Sequence, residues 1–371
     1  MESKKKRCIF HIPMKIDPNA KSGSNIRPIK MIQAFEKNGY LVDCIWGYGK
    51  QRKELISKIK QNIEDGIKYD FLYAENSTTP TLLTEKNHFP RYFGLDFGFM
   101  KFCKKNDIQI GLFYRDVYWK FETYKKLVPF YQRIITIPFY YYDLFKYNQL
   151  VDILYLPSRK MRPYVNVVKR FSELPPGCEY IKREKVTKEQ NEKKISLFYV
   201  GGIGEIYDLT KLFQAVTSLD FVNLIVCCRE EEWNKEKEKY ECYLNKNISI
   251  IHKSGKDLEV YYEKADICML FFESRGYRSF AMPIKLFEYL GHEVPVIATK
   301  DSAAGEFVEN MGIGWSIEHD VLKLQMLLKE LCNNKKILEI KKDSLKETIV
   351  KNTWKARAEQ VIQDLTKGEE K

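Results

Sequence analysis

The 371-residue sequence lacks several patterns that define common classes of protein. Its nine cysteines form no Cys-x-x-Cys pair and no Cys/His cluster at metal-ligand spacing, so we expect reduced thiols, no metal site and a cytoplasmic location. No run approaches the roughly 18 apolar residues of a membrane span. The start MESKKKRCIFHIPMKIDP returns to charge and proline too soon for a signal peptide. No Gly-x-Gly-x-x-Gly motif is present, so a dinucleotide fingerprint is not supported.

Positive charge predominates. The sequence has 62 basic and 50 acidic residues and a net charge of +12, which favours anionic partners such as phosphates, anionic lipid surfaces or nucleic acid. Charge alone does not choose among these, and a solvated lysine surface explains it equally well. The chain is 44% apolar and 14% aromatic, which is ample for packed cores. Its length predicts two domains.

Strand-length apolar runs alternate with helical stretches along the whole chain, which predicts an α/β protein with parallel sheets. A charged segment with two prolines, LPPGCEYIKREKVTKEQNEKK, interrupts the alternation and reads as a linker. We therefore expect an N-terminal Rossmann-like domain at 1–172, a linker at 173–194, a C-terminal Rossmann-like domain at 195–345 and a final helix at 346–371 that packs back across the domains. Two doubly wound domains in tandem predict an interdomain cleft at the carboxyl ends of their strands.

Small residues follow the first predicted strand of each domain. Gly23, Ser24 and Asn25 lead into a helix, where unpaired N–H groups can meet an anion, although Ser or Asn is also an ordinary N-cap. In the second domain the strand FYVGG ends in Gly201 and Gly202, which allow a diphosphate to approach the backbone closely or simply form a tight turn.

A helix beginning near residue 283 runs directly into the apolar strand PVIAT. Lys285 and Glu288 are three residues apart and share one face of this helix. A carboxylate in such a place can accept hydrogen bonds from ribose hydroxyls, while Lys285 or Arg278 can meet phosphate. An exposed Lys/Glu pair of little energetic weight is the alternative.

Here the sequence resembles a known family. The stretch PIKLFEYLGHEVPVIAT, continuing to GEFVENMGIGW, resembles the nucleotide-binding signature of GT-B glycosyltransferases of the retaining family 4 (group 1), which serve bacterial surface polysaccharide synthesis. YVGGIGEIYDLTKLFQA is similar to the glycine loop and helix of the family's donor domain, GSNIRP to its acceptor-side loop and TWKARAEQV to its closing helix. The resemblance implies the GT-B fold and a nucleoside-diphosphate sugar as donor.

By this resemblance Glu288 holds the donor ribose, and Gly201 and Gly202 line its diphosphate. Many members have an arginine after the first glycine of the loop and a lysine five residues later, where this chain has Gly202 and Tyr207. The diphosphate then needs other cations, and Arg278 and Lys285 are the nearest candidates. The family's first glutamate, eight residues before the second, corresponds to Phe280, so the sugar contact is unassigned.

Arg115 and Asp116 end the strand LFYRD of the first domain, where relatives often place a histidine that faces the cleft. We expect both to contact the acceptor or the transferred sugar, with Asp116 as a proton acceptor. A structural ion pair is the alternative. No Asp-x-Asp triplet occurs, the motif with which the other main nucleotide-sugar transferase fold holds a metal. The resemblance therefore implies a metal-independent enzyme without a cofactor.

Residues 124–148 interleave tyrosine and phenylalanine with lysine and arginine. This composition suits a helix at an anionic membrane interface, single-stranded nucleic acid or plain aromatic core packing. Because many relatives glycosylate lipid-linked acceptors, we expect peripheral contact with the inner face of the membrane and no nucleic acid partner.

The functional hypothesis is transfer of a sugar from a nucleoside-diphosphate sugar to a hydroxyl of a glycan or lipid-linked acceptor, with retention of configuration. A non-catalytic GT-B subunit that binds a partner transferase or glycan is an alternative, because expected cations and one glutamate are missing. A nucleotide-sugar epimerase shares the fold and remains a further alternative.

Overall fold

The computed structural model describes residues 6–17, 23–181 and 194–367. The chain folds into two compact units. The first comprises the chain up to Gly177 together with the segment from Trp354 onwards, and the second comprises Cys178–Thr353. Most of the predicted linker, residues 182–193, lies outside the described residues.

The first unit contains a six-stranded sheet in the order β2-β1-β3-β4-β5-β6, and every pairing is parallel. Its strands are β1 (Lys6–His11), β2 (Tyr40–Ile45), β3 (Phe71–Glu75), β4 (Gln109–Phe113), β5 (Ile153–Leu156) and β6 (Phe171–Glu173). The helices before residue 177 are α1 (Gly23–Lys37), α2 (Gly49–Glu64), α3 (Leu95–Lys105), α4 (Glu122–Leu127) and α5 (Phe130–Leu150). The strand order changes direction between β1 and β3.

The second unit contains a six-stranded parallel sheet in the order β12-β11-β10-β7-β8-β9. Its strands are β7 (Ile195–Val200), β8 (Val222–Cys227), β9 (Ile248–Ile251), β10 (Ile267–Leu270), β11 (Val296–Thr299) and β12 (Gly314–Ile317). Its helices are α6 (Thr210–Thr217), α7 (Glu230–Glu236), α8 (Glu259–Lys264), α9 (Ile284–Gly291), α10 (Ala303–Asn310), α11 (Val321–Asn333) and α12 (Lys336–Lys351). Its order reverses between β7 and β10, as in a doubly wound nucleotide-binding sheet.

The last helix, α13 (Trp354–Thr366), is part of the first unit. Its residues Trp354, Ala358, Val361 and Leu365 join the core beneath the first sheet, together with Phe10 and other residues of β1, β3 and β5. This pattern of apolar residues at i, i+4, i+7 and i+11 marks one face of a helix. The N-terminal core is therefore completed by residues from the far end of the chain.

The strands predicted from the sequence are present in both sheets, and the α/β expectation is confirmed. The near-continuous apolar strands are buried because helices cover both faces of a parallel sheet. In the second unit two separate hydrophobic clusters pack on the sheet, one including α6 and α11 and the other including α9 and α12.

Candidate functional site

The carboxyl end of β7 lies at the point where the strand order of the second sheet reverses, the usual ligand position in such sheets. Gly201 and Gly202 follow β7 directly. The Tyr199 hydroxyl donates to the Gly202 carbonyl at 2.6 Å, and the Tyr289 hydroxyl accepts from the Val200 N–H at 3.0 Å. A Cβ at Gly201 would lie 2.6 Å from the Tyr199 hydroxyl, so a side chain there forces a shift. The loop is therefore small and held in place.

Arg278 lies close to this glycine loop. It belongs to a short 3-10 helix, Gly276–Phe280, and its guanidinium is 5.0 Å from the centre of the Tyr207 ring. Tyr207 in turn reaches within 3.2 Å of the position that a Cβ on Gly202 would take. Tyr207 is at the position where many group 1 glycosyltransferases have a lysine. The positive charge near this position comes instead from Arg278, whose guanidinium lies against the Tyr207 ring.

The Arg278 side chain has spare hydrogen-bonding capacity. Its Nη1 donates to the Glu273 carbonyl at 2.7 Å, whereas its buried Nη2 has no hydrogen-bond partner among the described residues. Burial lowers the pKa of Arg278 from its ordinary value, and an arginine keeps its charge under such a change. A buried donor without a partner is costly, and an anion would relieve that cost.

Lys285 and Glu288 share one face of α9 as the sequence predicted, and they contact each other. Lys285 Nζ lies 2.5 Å from Glu288 Oε2, and each side chain is 33% exposed. The Tyr262 hydroxyl also donates to Glu288 Oε2, at 3.3 Å. Lys285, Glu288 and Tyr262 thus form a half-buried cluster of three side chains. The contact of Glu288 with Tyr262 was not indicated by the spacing of residues in the sequence.

Tyr289 joins this cluster to the glycine loop, because it follows Glu288 in α9 and its hydroxyl bonds the backbone of Val200. Four of the predicted residues, Gly201, Gly202, Lys285 and Glu288, are therefore on directly connected elements. The tyrosine hydroxyls that hold them were not predicted, since a buried tyrosine in sequence reads only as core.

Arg115 follows β4 in the first unit and takes part in a buried ionic cluster. Its Nη2 lies 3.0 Å from Glu75 Oε2, and Arg27 Nε lies 3.2 Å from Glu75 Oε1. The Tyr73 hydroxyl donates to the same carboxylate at 3.0 Å. Arg27 Nη1 is buried without a hydrogen-bond partner in the part of the chain that the structure describes. Sequence reasoning named Arg115 but missed Arg27 and Glu75.

Asp116 lies beside Arg115 and has a perturbed acidity. Burial raises the pKa of its carboxyl to about 6, although the charge of Arg115 and the N–H of Tyr118 oppose the rise. Such a pKa lies near neutral pH, where a carboxylate is an effective proton acceptor. The ion pair of Arg115 is with Glu75, and Arg115 acts on Asp116 through its charge alone.

Gly23, Ser24 and Asn25 are the first residues of α1. The Asn25 side chain accepts from the N–H of Asp17 at 2.9 Å. Residues 18–22 of the predicted loop lie outside the described residues. Arg27 lies about one turn beyond Gly23 in α1, and its side chain forms the ion pair with Glu75 described above.

Helix α5 has an unusual surface. Apolar and aromatic side chains between 54% and 69% exposed lie along it and the adjoining end of α4. This exposed aromatic face consists of Leu127, Phe130, Tyr131, Ile134, Ile135, Tyr141 and Phe145. The opposite side of α5 is buried through Tyr140, Asp143, Leu144 and Tyr147. None of the helices formed by the described residues is both long and apolar enough to cross a bilayer.

Solved structures with the same architecture are GT-B glycosyltransferases. Sucrose-phosphate synthase from Thermosynechococcus elongatus aligns over 96% of this chain and 98% of its own, at 15% identity and a TM-score of 0.62. Anabaena Alr3699/HepE in complex with UDP aligns over 97% and 99%, at 12% identity and a TM-score of 0.66. WaaG, a glycosyltransferase involved in lipopolysaccharide biosynthesis, aligns over 97% and 100%, at 14% identity and a TM-score of 0.57. The chain therefore has the GT-B fold.

A family model gives a second, independent match. Residues 181–351, within the second unit, match the model described as glycosyl transferases group 1. The chain is a glycosyltransferase, and the predicted resemblance to GT-B glycosyltransferases of group 1 is confirmed, whereas the retaining mechanism and the polysaccharide pathway stay predictions. No curated protein matches the chain with significance.

Proposed function

We propose that this glycosyltransferase moves a sugar from a nucleoside-diphosphate sugar to a hydroxyl of a glycan or lipid-linked acceptor in cell-surface polysaccharide synthesis. The main observation in favour of a donor site is that Tyr289 links Glu288 to the glycine loop. Tyr289 follows Glu288 in the chain, and its hydroxyl accepts from the N–H of Val200, where the strand order of the second sheet reverses. The crystal structures of HepE with UDP and with UDP-glucose support a nucleotide sugar as donor. WaaG supports a surface-polysaccharide pathway.

In this proposal Glu288 accepts hydrogen bonds from the ribose, while Gly201 and Gly202 let the diphosphate approach the backbone. Arg278 and Lys285 neutralise the departing diphosphate, a role that positioned cations fill without a metal ion. We propose no cofactor, because the nucleotide sugar is itself a substrate. Retention of the anomeric configuration follows from the family resemblance, and the configuration of the product measured by NMR tests it.

The acceptor residues we propose are in the first unit. Asp116, with a pKa of about 6, accepts the proton of the acceptor hydroxyl, and Arg115 contacts the acceptor or the transferred sugar. Gly23, Ser24 and Asn25 supply N–H groups from the start of α1 to an anionic part of the acceptor.

A thermal-shift screen with UDP, GDP, CMP and dTDP and their sugar conjugates tests the donor site. A ligand that binds only the folded protein raises the melting temperature. We expect one base to give a shift that Glu288→Ala abolishes. The matched control is Glu347→Ala, which removes an exposed glutamate of α12 and leaves the shift in place. No shift with any nucleotide would favour a non-catalytic subunit, and turnover of a sugar conjugate that binds would exclude one.

We further propose that the exposed aromatic face contacts an anionic membrane. Asp143 is the one acidic residue between 123 and 151, and it is buried. The exposed face is accompanied by four basic residues, one of which, Lys125, is paired with the exposed Glu122. An unpaired basic residue near an anionic surface contributes about 1 kcal/mol. The four are Lys125, Lys126, Arg133 and Lys146. All nine cysteines lie in the described residues and none of them forms a disulfide, which supports a location at the cytoplasmic side of the membrane.

Vesicle sedimentation tests this contact. We expect binding to vesicles that contain phosphatidylglycerol, weaker binding at high salt, and loss of binding in Ile134→Glu/Ile135→Glu. The matched control Leu322→Glu/Met326→Glu changes two similarly exposed side chains of the second unit and leaves binding unchanged. Equal binding to neutral phosphatidylcholine, or competition by single-stranded RNA, would contradict the proposal.

A further inference from the structure

Two donors converge on a single oxygen of Glu288. Lys285 Nζ and the Tyr262 hydroxyl both contact Oε2, at 2.5 and 3.3 Å. The described residues give Oε1 no side-chain hydrogen bond, and this oxygen is not among their buried unsatisfied atoms. The carboxylate is thus held through one oxygen, while the other remains able to accept hydrogen bonds.

Tyr262 is the rigid member of this cluster. Its side chain is 2% exposed, and its ring stacks on His292 with the ring centres 3.8 Å apart and the planes 12° from parallel. On another side it meets the Phe198 ring edge-to-face at 5.2 Å. His292 is itself buried and lies 3.4 Å from Glu259. The phenol therefore cannot follow a moving carboxylate, whereas the long Lys285 side chain can.

The Tyr262 hydroxyl also keeps its proton, and so stays a donor, around neutral pH. Burial, together with the charge of Glu288, raises the pKa of Tyr262 far above its ordinary value. A tyrosine that keeps its proton can donate to a carboxylate, and hydrogen bonds to charged groups are the stronger kind.

We propose that Tyr262 is a positioning residue for ribose recognition. By holding Oε2, it leaves Oε1 to accept from the ribose hydroxyls of the nucleotide, and the site then distinguishes ribonucleotides from deoxyribonucleotides. Lys285 is released from Glu288 as it meets the diphosphate, and Tyr262 keeps the carboxylate in place when that happens. This inference rests on the proposed donor site. It adds Tyr262 as the group that makes the site selective for ribose over deoxyribose in the nucleotide.

Calorimetric titration with UDP and GDP, each paired with its 2′-deoxy form, tests the proposal. A lost hydrogen bond to a charged group costs about 1.5 to 3 kcal/mol, so the wild type should prefer the ribonucleotide by roughly ten-fold or more. In Tyr262→Phe, which keeps the ring and its stacking, the preference should fall to less than roughly three-fold. Tyr261→Phe is the matched control, since that tyrosine is on the same helix and stacks on Phe198. It should keep the wild-type preference.

The outcomes are distinguishable. If Tyr262→Phe weakens both nucleotides equally and keeps the ribose preference, Tyr262 has only a structural role and the inference is wrong. If the wild type binds none of UDP, GDP, CMP and dTDP, the donor site itself fails, and the role of Tyr262 fails with it. If it binds dTDP alone, the donor site stands and the ribose selectivity is wrong. Glu288→Gln supplies a second variant that should lose the preference without removing the tyrosine hydroxyl.

Discussion

Asp143 lies on the buried side of α5 and makes the stability of the first unit depend on pH. Its Oδ2 accepts from the N–H of Thr81 at 2.7 Å and from the Thr81 hydroxyl at 2.9 Å. Its Oδ1 is buried without a hydrogen-bond partner among the described residues. Burial raises the pKa of Asp143 to about 7, with a small addition from the charge of Asp96, although the bonds from Thr81 oppose the rise.

The direction of the effect follows from this pKa. The folded state binds the proton more tightly than the unfolded state, so the stabilisation is complete below about pH 4 and is lost as the pH rises through 7. A rise from 3.8 to about 7 corresponds to at most about 4 kcal/mol. Asp143→Asn cannot ionise, and it retains an oxygen that can accept from Thr81.

Urea unfolding at pH 5, 6, 7 and 8 measures the effect. The stability of Asp143→Asn relative to the wild type should rise by roughly 2 to 3 kcal/mol between pH 5 and pH 8. Asp220→Asn removes the same charge from an exposed position and controls for the general effect of net charge. A stability difference for Asp143→Asn that does not change with pH would refute the reasoning.

Three further outcomes are expected. Gly291→Ala places a Cβ 2.2 Å from the Glu179 carbonyl oxygen, so it should lower the free energy of unfolding by more than about 2 kcal/mol in urea or thermal unfolding. Gly98→Ala is the control, because this exposed helical position has free space around it. It should raise the free energy of unfolding by about 0.5 to 1 kcal/mol. Asp116→Asn should lower the transfer rate by about 100-fold or more, and the residual rate should no longer fall below about pH 6. An unchanged pH–rate profile would exclude Asp116 as the proton acceptor. Gly201→Ala should weaken nucleotide binding by about ten-fold in calorimetry, because the added Cβ displaces the Tyr199 hydroxyl. An unchanged affinity would contradict the claim that the glycine loop has no room for a side chain.

Local sequence pattern was sufficient for most of the strands, several of the helices between them and the position of Glu288, whereas β6, β12, α3 and α10 were not predicted. Apolar runs of strand length are buried in parallel sheets, and their period and flanking glycines are visible along the chain. The spacing of Lys285 and Glu288 likewise placed them on one helical face. These features depend on neighbours within a few residues, which a sequence displays directly.

Contacts between distant residues were not predictable from the sequence. Tyr262 meets Glu288 across 26 positions, and Thr81 meets Asp143 across 62. Nothing in local periodicity selects such partners. The composition of residues 124–148 led us to expect a helix with exposed aromatic residues, and α5 does expose much of its apolar surface. The burial of Asp143 in this helix was not predicted.

The position of α13 in the first unit has a consequence for how the protein forms during synthesis. The core beneath the first sheet includes Trp354 and Leu365, so it is incomplete until residue 365 has left the ribosome. At ordinary rates of translation this delay is roughly 10 to 40 seconds after residue 177 is made. Cys178–Thr353 contains both sides of its own sheet and is available to fold earlier. The first unit is therefore completed after the second, and loss of α13 damages the unit whose synthesis began first.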